Sequence, residues 1–131
     1  MEKEPHICQR YKILVVDDDI VFLRTAMNYL NEEYRVSVVK SGLEALAYMS
    51  KEKPDAILLD YEMPDFDGPQ TLKMIRTNEE LKNVPVFFMT GVNDPELVKK
   101  ALELKPQGYI LKTTSKNELL DRLAEFFNAL S

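Results

Sequence analysis

Residues 12–19, KILVVDDD, place the apolar run Ile13–Val16 directly before three acidic side chains. The runs AILL at 56–59 and VFFM at 86–89 are equally apolar at successive positions. A strand that is covered by helices on both faces has this continuous pattern, so the three runs predict the interior of a parallel sheet. The segment Arg35–Val38 alternates between polar and apolar residues, which predicts an edge strand with one wet side.

Segments with helical spacing separate the predicted strands. Ile20, Leu23 and Met27 recur at the period of one helix face. The other helices begin at recognisable signals, namely the capping boxes Ser41–Glu44 and Ser115–Glu118, Pro69 after Gly68, and Asp94-Pro95-Glu96. The predicted strands are Lys12–Val16, Arg35–Val39, Ala56–Leu59, Val86–Met89 and Tyr109–Leu111. Strands that alternate with helices in this way predict a doubly wound α/β domain with a five-stranded parallel sheet and five helices.

Composition and charge restrict the functions open to the chain. Its 131 residues include 17 basic and 22 acidic side chains, a formal net charge of −5, which disfavours general binding to nucleic acids or anionic membranes. The single cysteine, Cys8, excludes an internal disulfide and a cysteine-based zinc site, and we expect no chemical role for it or for the single histidine, His6. No apolar run has the length of a signal peptide or a membrane span, so we expect a cytoplasmic protein.

Polar residues follow four of the predicted strands. Asp17–Asp19 follow the first strand, Asp60–Glu62 the third, Thr90 and Gly91 the fourth, and Lys112 the fifth. Ligands of an open parallel sheet bind beyond the carboxyl ends of its strands, so we expect these side chains to converge. Carboxylates that converge repel one another and need a hard cation, and oxygen ligands favour Mg²⁺, with Mn²⁺ as a substitute.

The predicted cluster contains the groups that phosphoryl transfer to a carboxylate requires. Asp60 would attack phosphorus as a nucleophile, while the cation and Lys112 neutralise charge on the phosphoryl oxygens. Thr90 would donate a hydrogen bond to one of these oxygens, and Gly91 leaves space for the group. The residues therefore predict an aspartate that is phosphorylated in the presence of Mg²⁺.

Five motifs resemble the receiver domain of two-component response regulators, of the type found in chemotaxis regulators. They are ILVVDD at 13–18, PDAILLD at 54–60, MPDFDG at 63–68, PVFFMT at 85–90 and GYILK at 108–112. Their order is more specific than any one motif, and the resemblance extends from the first strand to the final helix. It implies a flavodoxin-like fold with strand order 2-1-3-4-5, formed by residues 12–131 after a leader at 1–11.

The resemblance also implies a role for each site residue. Asp60 would be the phosphoacceptor, and Thr90 and Lys112 would hold the phosphoryl group. Tyr109 would be the aromatic residue that moves inward when Thr90 is drawn to the phosphate. The metal ligands would be Asp17, Asp18, Asp60 and the backbone carbonyl of Glu62.

Partners follow from the same resemblance. A sensor histidine kinase or a histidine phosphotransfer protein would supply the phosphoryl group, and a downstream effector protein would bind the surface of helix four, strand five and helix five. The chain would be a signalling phosphoacceptor and not an enzyme, since its chemistry would be limited to its own phosphotransfer and autodephosphorylation. We expect no direct binding to nucleic acid or membrane, and the sequence leaves a homodimer open.

The sequence departs from the family pattern at several positions. Thr113 follows Lys112 where the family usually has a proline, and because a cis bond before a non-proline residue costs about 2.5–4 kcal/mol, we predict a trans bond. Lys105-Pro106 replaces a common pair of small residues before strand five, which predicts a stiffer turn and leaves the family's dimer geometry open. Glu62 and Val92 lie at positions that tune hydrolysis of the acyl phosphate, and neither predicts its lifetime.

Three rival functions are compatible with parts of the sequence. A phosphatase similar to the haloacid dehalogenases also uses a strand-end aspartate with Mg²⁺ and a second acid, as Asp60 and Glu62 could, but leaves Asp17 and Asp18 unexplained. A flavin mononucleotide carrier of the same fold is disfavoured because the acids after strand one would repel the flavin phosphate. The third rival is an interaction module that works without phosphorylation.

Overall fold

The fold was obtained as a computed structural model that describes residues 10–64, 66–91 and 93–130. The strands are β1 (Lys12–Val16), β2 (Arg35–Val39), β3 (Ala56–Asp60), β4 (Val86–Thr90) and β5 (Gly108–Leu111). The helices are α1 (Ile20–Leu30), α2 (Gly42–Met49), α3 (Gly68–Thr77), α4 (Pro95–Glu103) and α5 (Lys116–Ala129). The predicted leader lies outside the described residues except for its last two positions. Within the described ranges, no helix is long and apolar enough to cross a membrane.

The five strands form one parallel sheet in the order β2-β1-β3-β4-β5, which confirms the predicted doubly wound, flavodoxin-like fold. Because β3 and β4 each continue one residue further than predicted, Asp60 pairs with Met89 and Thr90 pairs with Leu111 in the ladder. The carboxyl ends of β1, β3, β4 and β5 therefore lie side by side. The edge position of β2 is confirmed, but its side chains are partly exposed on both faces, with Arg35 and Val38 the most exposed.

Two hydrophobic clusters cover the two faces of the sheet. Helices α1 and α5 cover one face with Leu23, Ala26, Leu30, Leu119, Leu123 and Phe127. Helices α2, α3 and α4 cover the other face with Ala45, Met49, Leu72, Ile75 and Ala101. The apolar runs of β1, β3 and β4 are buried at every position, as the sequence predicted. This packing holds the strand ends in a rigid frame.

Side-chain caps begin the five described helices, and those of α2, α4 and α5 are the residues that the sequence predicted. Asp19 caps α1, Asp94 caps α4, and Ser115 accepts a hydrogen bond from the backbone amide of Glu118 at the start of α5. The predicted capping box of α2 differs in one hydrogen bond. Ser41 accepts from the amide of Glu44, but the carboxylate of Glu44 accepts from the amide of Lys40 and not from that of Ser41. Helix α3 has a complete box that the sequence analysis missed, formed between Asp67 and Gln70.

The turn between α4 and β5 contains a lysine in a left-handed backbone conformation. Lys105 has a φ of 57°, a region that costs a non-glycine residue about 1 kcal/mol. We expect Lys105→Gly to raise the free energy of unfolding by about 1 kcal/mol, measured by urea denaturation. Lys100→Gly within α4 is the control and should lower it by about 1 kcal/mol. A loss of stability in Lys105→Gly would contradict this account of the turn.

Candidate functional site

Three aspartates meet at the carboxyl ends of β1 and β3. Asp17 and Asp60 are buried, with 1% and 3% of their surface exposed, whereas Asp18 lies at the exposed rim. One carboxylate oxygen from each lies within 4.8 Å of the others. The convergence follows from the parallel sheet, since β1 and β3 are neighbours and end at the same edge. The structure thus brings together the three carboxylates that the sequence proposed as metal ligands.

Lys112 places a positive charge among these acids. Its Nζ lies 2.6 Å from Oδ2 of Asp17 and 3.3 Å from Oδ1 of Asp60, and its side chain is 20% exposed. The backbone amide of Lys112 donates to the carbonyl of Thr90 at 2.7 Å, which continues the ladder between β4 and β5 beyond their last residues. The ammonium therefore offsets the repulsion between Asp17 and Asp60, and lies closer to Asp17 than to the predicted phosphoacceptor.

The surroundings of Asp60 and Lys112 raise the pKa of both groups. Burial and the charge of Asp17 raise the pKa of Asp60 from 3.8 to about 7, against the lowering effects of Lys112 and of the hydrogen bond from the amide of Glu62. Burial alone would lower the pKa of Lys112, but the hydrogen bond to Asp17 and the charges of Asp60 and Asp17 outweigh it, so that this pKa lies above its usual value. Lys112 is consequently charged at neutral pH, whereas Asp60 exchanges its proton with solvent close to neutral pH.

Backbone amides orient the two buried carboxylates. The amide of Asp19 donates to Oδ1 of Asp17 at 2.9 Å, and the amide of Glu62 donates to Oδ1 of Asp60 at 3.3 Å. The side chain of Glu62 is exposed, so its contact with the cluster is through the backbone. These bonds leave Oδ2 of Asp17 to the ammonium of Lys112, which lies 2.6 Å away.

This donor set fits a hard divalent cation. It consists of oxygen atoms from Asp17, Asp18 and Asp60, and these three carboxyl groups face the single ammonium of Lys112. Mg²⁺ prefers oxygen ligands and keeps several waters, which the exposed rim at Asp18 would admit.

The ends of β4 and β5 supply the remaining predicted residues. Thr90 is fully buried at the end of β4, and a Cβ added to Gly91 would meet no atom within 4 Å. Open space therefore lies on the side of Gly91 where a side chain would stand, and the use of this space by a phosphoryl group stays a prediction. Tyr109 is half-buried on β5, beside Phe88 of β4, and packs against the cluster under α2, α3 and α4.

Two neighbours of the site were missed by the sequence analysis. The ring of Phe22 lies under Lys112, with Nζ 5.0 Å from the ring centroid. Gly68 packs against the backbone that follows β3, where its own amide donates to the carbonyl of Tyr61 at 3.2 Å. No sequence signal identifies Phe22, because its spacing is that of an ordinary helix residue. Gly68 is part of the motif MPDFDG at 63–68 and precedes Pro69 at a predicted helix start, but neither pattern indicated a contact with the site.

Gly68 has no room for a side chain. A Cβ there would contact the carbonyl oxygen of Asp60 and lie 2.9 Å from Cα of Tyr61, and neither backbone group can rotate away. We expect Gly68→Ala to lower the free energy of unfolding by about 2 kcal/mol, measured by urea denaturation. Gly91→Ala, which would meet open space, is the matched control and should change stability by less than about 0.5 kcal/mol. Equal effects of the two substitutions would contradict the steric explanation.

The remaining predictions concern the peptide bond before Thr113 and the residues His6, Cys8 and Val92. The bond between Lys112 and Thr113 is trans, as predicted. His6, Cys8 and Val92 lie outside the described residues, and their predictions stand as made.

Known proteins share both the sequence pattern and the fold. The family model for the response regulator receiver domain matches residues 13–124. The chain is 34% identical to the two-component response regulator ORR3 of Oryza sativa subsp. indica, over 90% of this chain and 87% of that protein. It is 33% identical to the chemotaxis protein CheY-3 of Vibrio cholerae, over 91% of this chain and 93% of that protein. The solved structure of the chemotaxis protein CheY4 of V. cholerae superposes with a TM-score of 0.82 at 28% identity, covering 88% of this chain and 98% of that one.

Proposed function

Because the chain belongs to the response regulator receiver domain family, we propose that it is switched by phosphorylation of Asp60 in the presence of Mg²⁺. The observation that supports this assignment is the environment of the Asp60 carboxylate. It is 3% exposed, lies 3.3 Å from the ammonium of Lys112 and shares an acidic cluster with Asp17 and Asp18. A carboxylate between a cation and a divalent-metal site is suited to attack an anionic phosphoryl group, since both charges attract that group.

The proposed step transfers one phosphoryl group from a phosphohistidine of a sensor kinase or a histidine phosphotransfer protein. An oxygen of the ionised Asp60 forms a bond to phosphorus as the phosphorus–nitrogen bond breaks. The bonding electrons remain on the imidazole nitrogen, and the leaving group is neutral imidazole when the other nitrogen of the donor ring carries a proton. A Mg²⁺ ion held by Asp17, Asp18, Asp60 and the carbonyl of Glu62 would neutralise charge on the phosphoryl oxygens.

Residues of this chain perform the rest of the step. Lys112 exchanges part of its ion pair with Asp17 for an oxygen of the incoming group. Thr90 donates its hydroxyl to another oxygen, next to the open space at Gly91. Hydrolysis of the acyl phosphate returns Asp60 to its carboxylate form, and we propose that this exchange takes place in the cytoplasm.

The proposed response to phosphorylation spreads through β5. Phosphorylation adds a charge of about −1.5 to −2, which draws Thr90 and Lys112 toward the new group. Tyr109 lies on β5, which Lys112 directly follows, and its backbone carbonyl accepts a hydrogen bond from Arg122 of α5 at 3.4 Å. A movement of Tyr109 would therefore alter the surface of α4, β5 and α5, where we propose that the effector binds.

The intact mass of the chain tests this function directly. After incubation with acetyl phosphate and Mg²⁺, we expect wild type to gain one labile phosphoryl group and Asp60→Asn to gain none. A chelator should prevent labelling, and Asp121→Asn, which changes an exposed acid on α5, should be labelled like wild type. If neither acetyl phosphate nor a phosphorylated kinase labels wild type, the phosphorylation-independent module is favoured.

The structure gives no support to a phosphatase or to a flavin carrier. The acids after β1, which the phosphatase interpretation left unexplained, belong to the cluster around Asp60. The same acids occupy the strand end where a flavin phosphate would need a binding loop. Turnover of phosphate esters, or a flavin absorbance spectrum, would contradict the receiver assignment.

A further inference from the structure

The ring of Phe22 is a further partner of Lys112, besides the two acids. Phe22 lies in the first turn of α1, is half-buried and packs against the core between α1 and α5. The ammonium of Lys112 lies 5.0 Å from the centroid of this ring, within the range of a cation–π interaction. The same ammonium is bound by Asp17 and Asp60, so an aromatic face and two carboxylates together define its position.

These two kinds of partner behave differently when a phosphoryl group arrives. A carboxylate that holds Lys112 competes with the phosphoryl oxygens for the ammonium and repels the incoming negative charge. The ring attracts the cation through its quadrupole but carries no net charge, so it adds no such repulsion. It can therefore keep hold of Lys112 while the ammonium changes its anionic partner. A lysine side chain needs this support because its flexible stem has many rotamers.

Phe22 is held in place by the same turn that orients Asp17. The carboxylate of Asp19 accepts hydrogen bonds from the amides of Val21 at 2.9 Å and Phe22 at 3.4 Å. The amide of Asp19 donates in turn to the carboxylate of Asp17 at 2.9 Å. One capping residue thus connects the acid and the ring that flank Lys112, and the spacing between them is set by the start of α1.

We propose that Phe22 is a positioning residue for phosphoryl transfer. Its ring stays in contact with the ammonium of Lys112 while that ammonium exchanges Asp17 for a phosphoryl oxygen. This inference rests on the proposed phosphorylation of Asp60. The ring touches neither the phosphoryl group nor Asp60 in this assignment, and acts only through Lys112.

A series of ring substitutions separates this role from packing. Phe22 is replaced with phenylalanines that carry one, two or three fluorines, which weaken the ring quadrupole with little change in shape. We expect the rate of labelling by acetyl phosphate to fall stepwise along the series, by about fivefold in total, because an accessible cation–π contact is worth about that factor. Phe22→Tyr should retain the rate, and Phe22→Leu should lose about as much as the trifluorinated ring.

Phe126 provides the matched control for these substitutions. It is also half-buried against the cluster of α1 and α5, and its ring packs edge-on against Phe87 with centroids 5.3 Å apart. The same fluorinated series at Phe126 should leave the labelling rate unchanged. A rate that is flat along the Phe22 series, or that falls equally along both series, would overturn the proposal.

A second measurement does not depend on phosphorylation. In NMR spectra of the isotopically labelled chain, the Hε protons of Lys112 should be shifted upfield by the ring current of Phe22 and lose this shift in Phe22→Leu. If wild type takes up no phosphoryl group, the proposed function fails while the ring-current shift still reports whether Phe22 positions Lys112. An Hε shift that is the same in wild type and Phe22→Leu would overturn the positioning role, whatever the labelling result.

Discussion

Asp60→Asn is expected to raise the free energy of unfolding by about 4 kcal/mol at pH 8 in the absence of divalent cations. The wild-type carboxyl has a pKa of about 7 in the folded protein, against 3.8 for its ordinary value, because it is buried beside Asp17. Ionising it in the folded state is therefore costly. An asparagine of the same size removes this cost and still accepts the hydrogen bond from the amide of Glu62.

The sign of the pH dependence follows from the direction of this shift. Between about pH 4 and pH 7 the folded state binds more protons at Asp60 than the unfolded state, so the free energy of unfolding falls as the pH rises, by up to about 1.4 kcal/mol per unit. The contribution is fully present below the unfolded pKa and is lost once the pH has passed the folded pKa. The stabilising effect of Asp60→Asn should accordingly be small near pH 4 and reach its full size near pH 8.

Urea denaturation of wild type and Asp60→Asn over this pH range, with a chelator present, measures the difference. Asp121→Asn, which changes an exposed acid, is the control and should follow wild type. Addition of Mg²⁺ should reduce the advantage of Asp60→Asn, since a bound cation favours the ionised carboxylate. If the difference between wild type and Asp60→Asn does not vary with pH, the pKa of Asp60 is not raised.

Lys112→Met should have the opposite effect and lower the free energy of unfolding by about 3 kcal/mol at pH 8 without divalent cations. The substitution keeps an unbranched side chain but removes the ammonium that pairs with Asp17 at 2.6 Å and with Asp60 at 3.3 Å. Asp17 is 1% exposed, so its carboxylate would be left buried without this counter-charge. The loss should be smaller at pH 5, where Asp60 is protonated and repels Asp17 less.

Mg²⁺ distinguishes this electrostatic effect from lost packing. A cation among the acids would replace the missing ammonium, so we expect millimolar Mg²⁺ to restore most of the stability of Lys112→Met, as measured by urea denaturation. Lys116→Met, at an exposed position on α5, is the control and should change little in either condition. A loss that Mg²⁺ leaves unchanged, and that is equal at both pH values, would show that Lys112 acts through packing alone.

Local patterns were sufficient for most of the architecture. The runs in β1, β3 and β4 predicted buried strands because coverage on both faces requires apolar side chains at every position. The residues Ser41, Asp94 and Ser115 predicted helix starts because a cap acts on amides only two or three residues away. The strand ends were predicted less exactly. β3 and β4 each extend one residue further, to Asp60 and Thr90, because these polar residues still pair with the neighbouring strand.

The composition of the acidic cluster was also predictable, for a topological reason. Once the strands are known to be parallel, their carboxyl ends must share one edge, so acids after β1 and β3 and a lysine after β5 are brought close together. The convergence of Asp17, Asp18 and Asp60 needed no knowledge of side-chain geometry. Their chemical roles remain proposals, supported by the resemblance and by the environment of Asp60.

The sequence by itself determined the strand and helix pattern, the parallel topology and the identity of the converging residues, because these depend on local spacing and on chain direction. Only the tertiary structure decided that Lys112 lies closer to Asp17 than to Asp60, that the pKa of Asp60 is near 7, and that the ring of Phe22 supports the ammonium. These features depend on distances of a few ångströms between side chains from different elements. Such distances are set by how the helices pack on the sheet, and no local pattern along the chain encodes them.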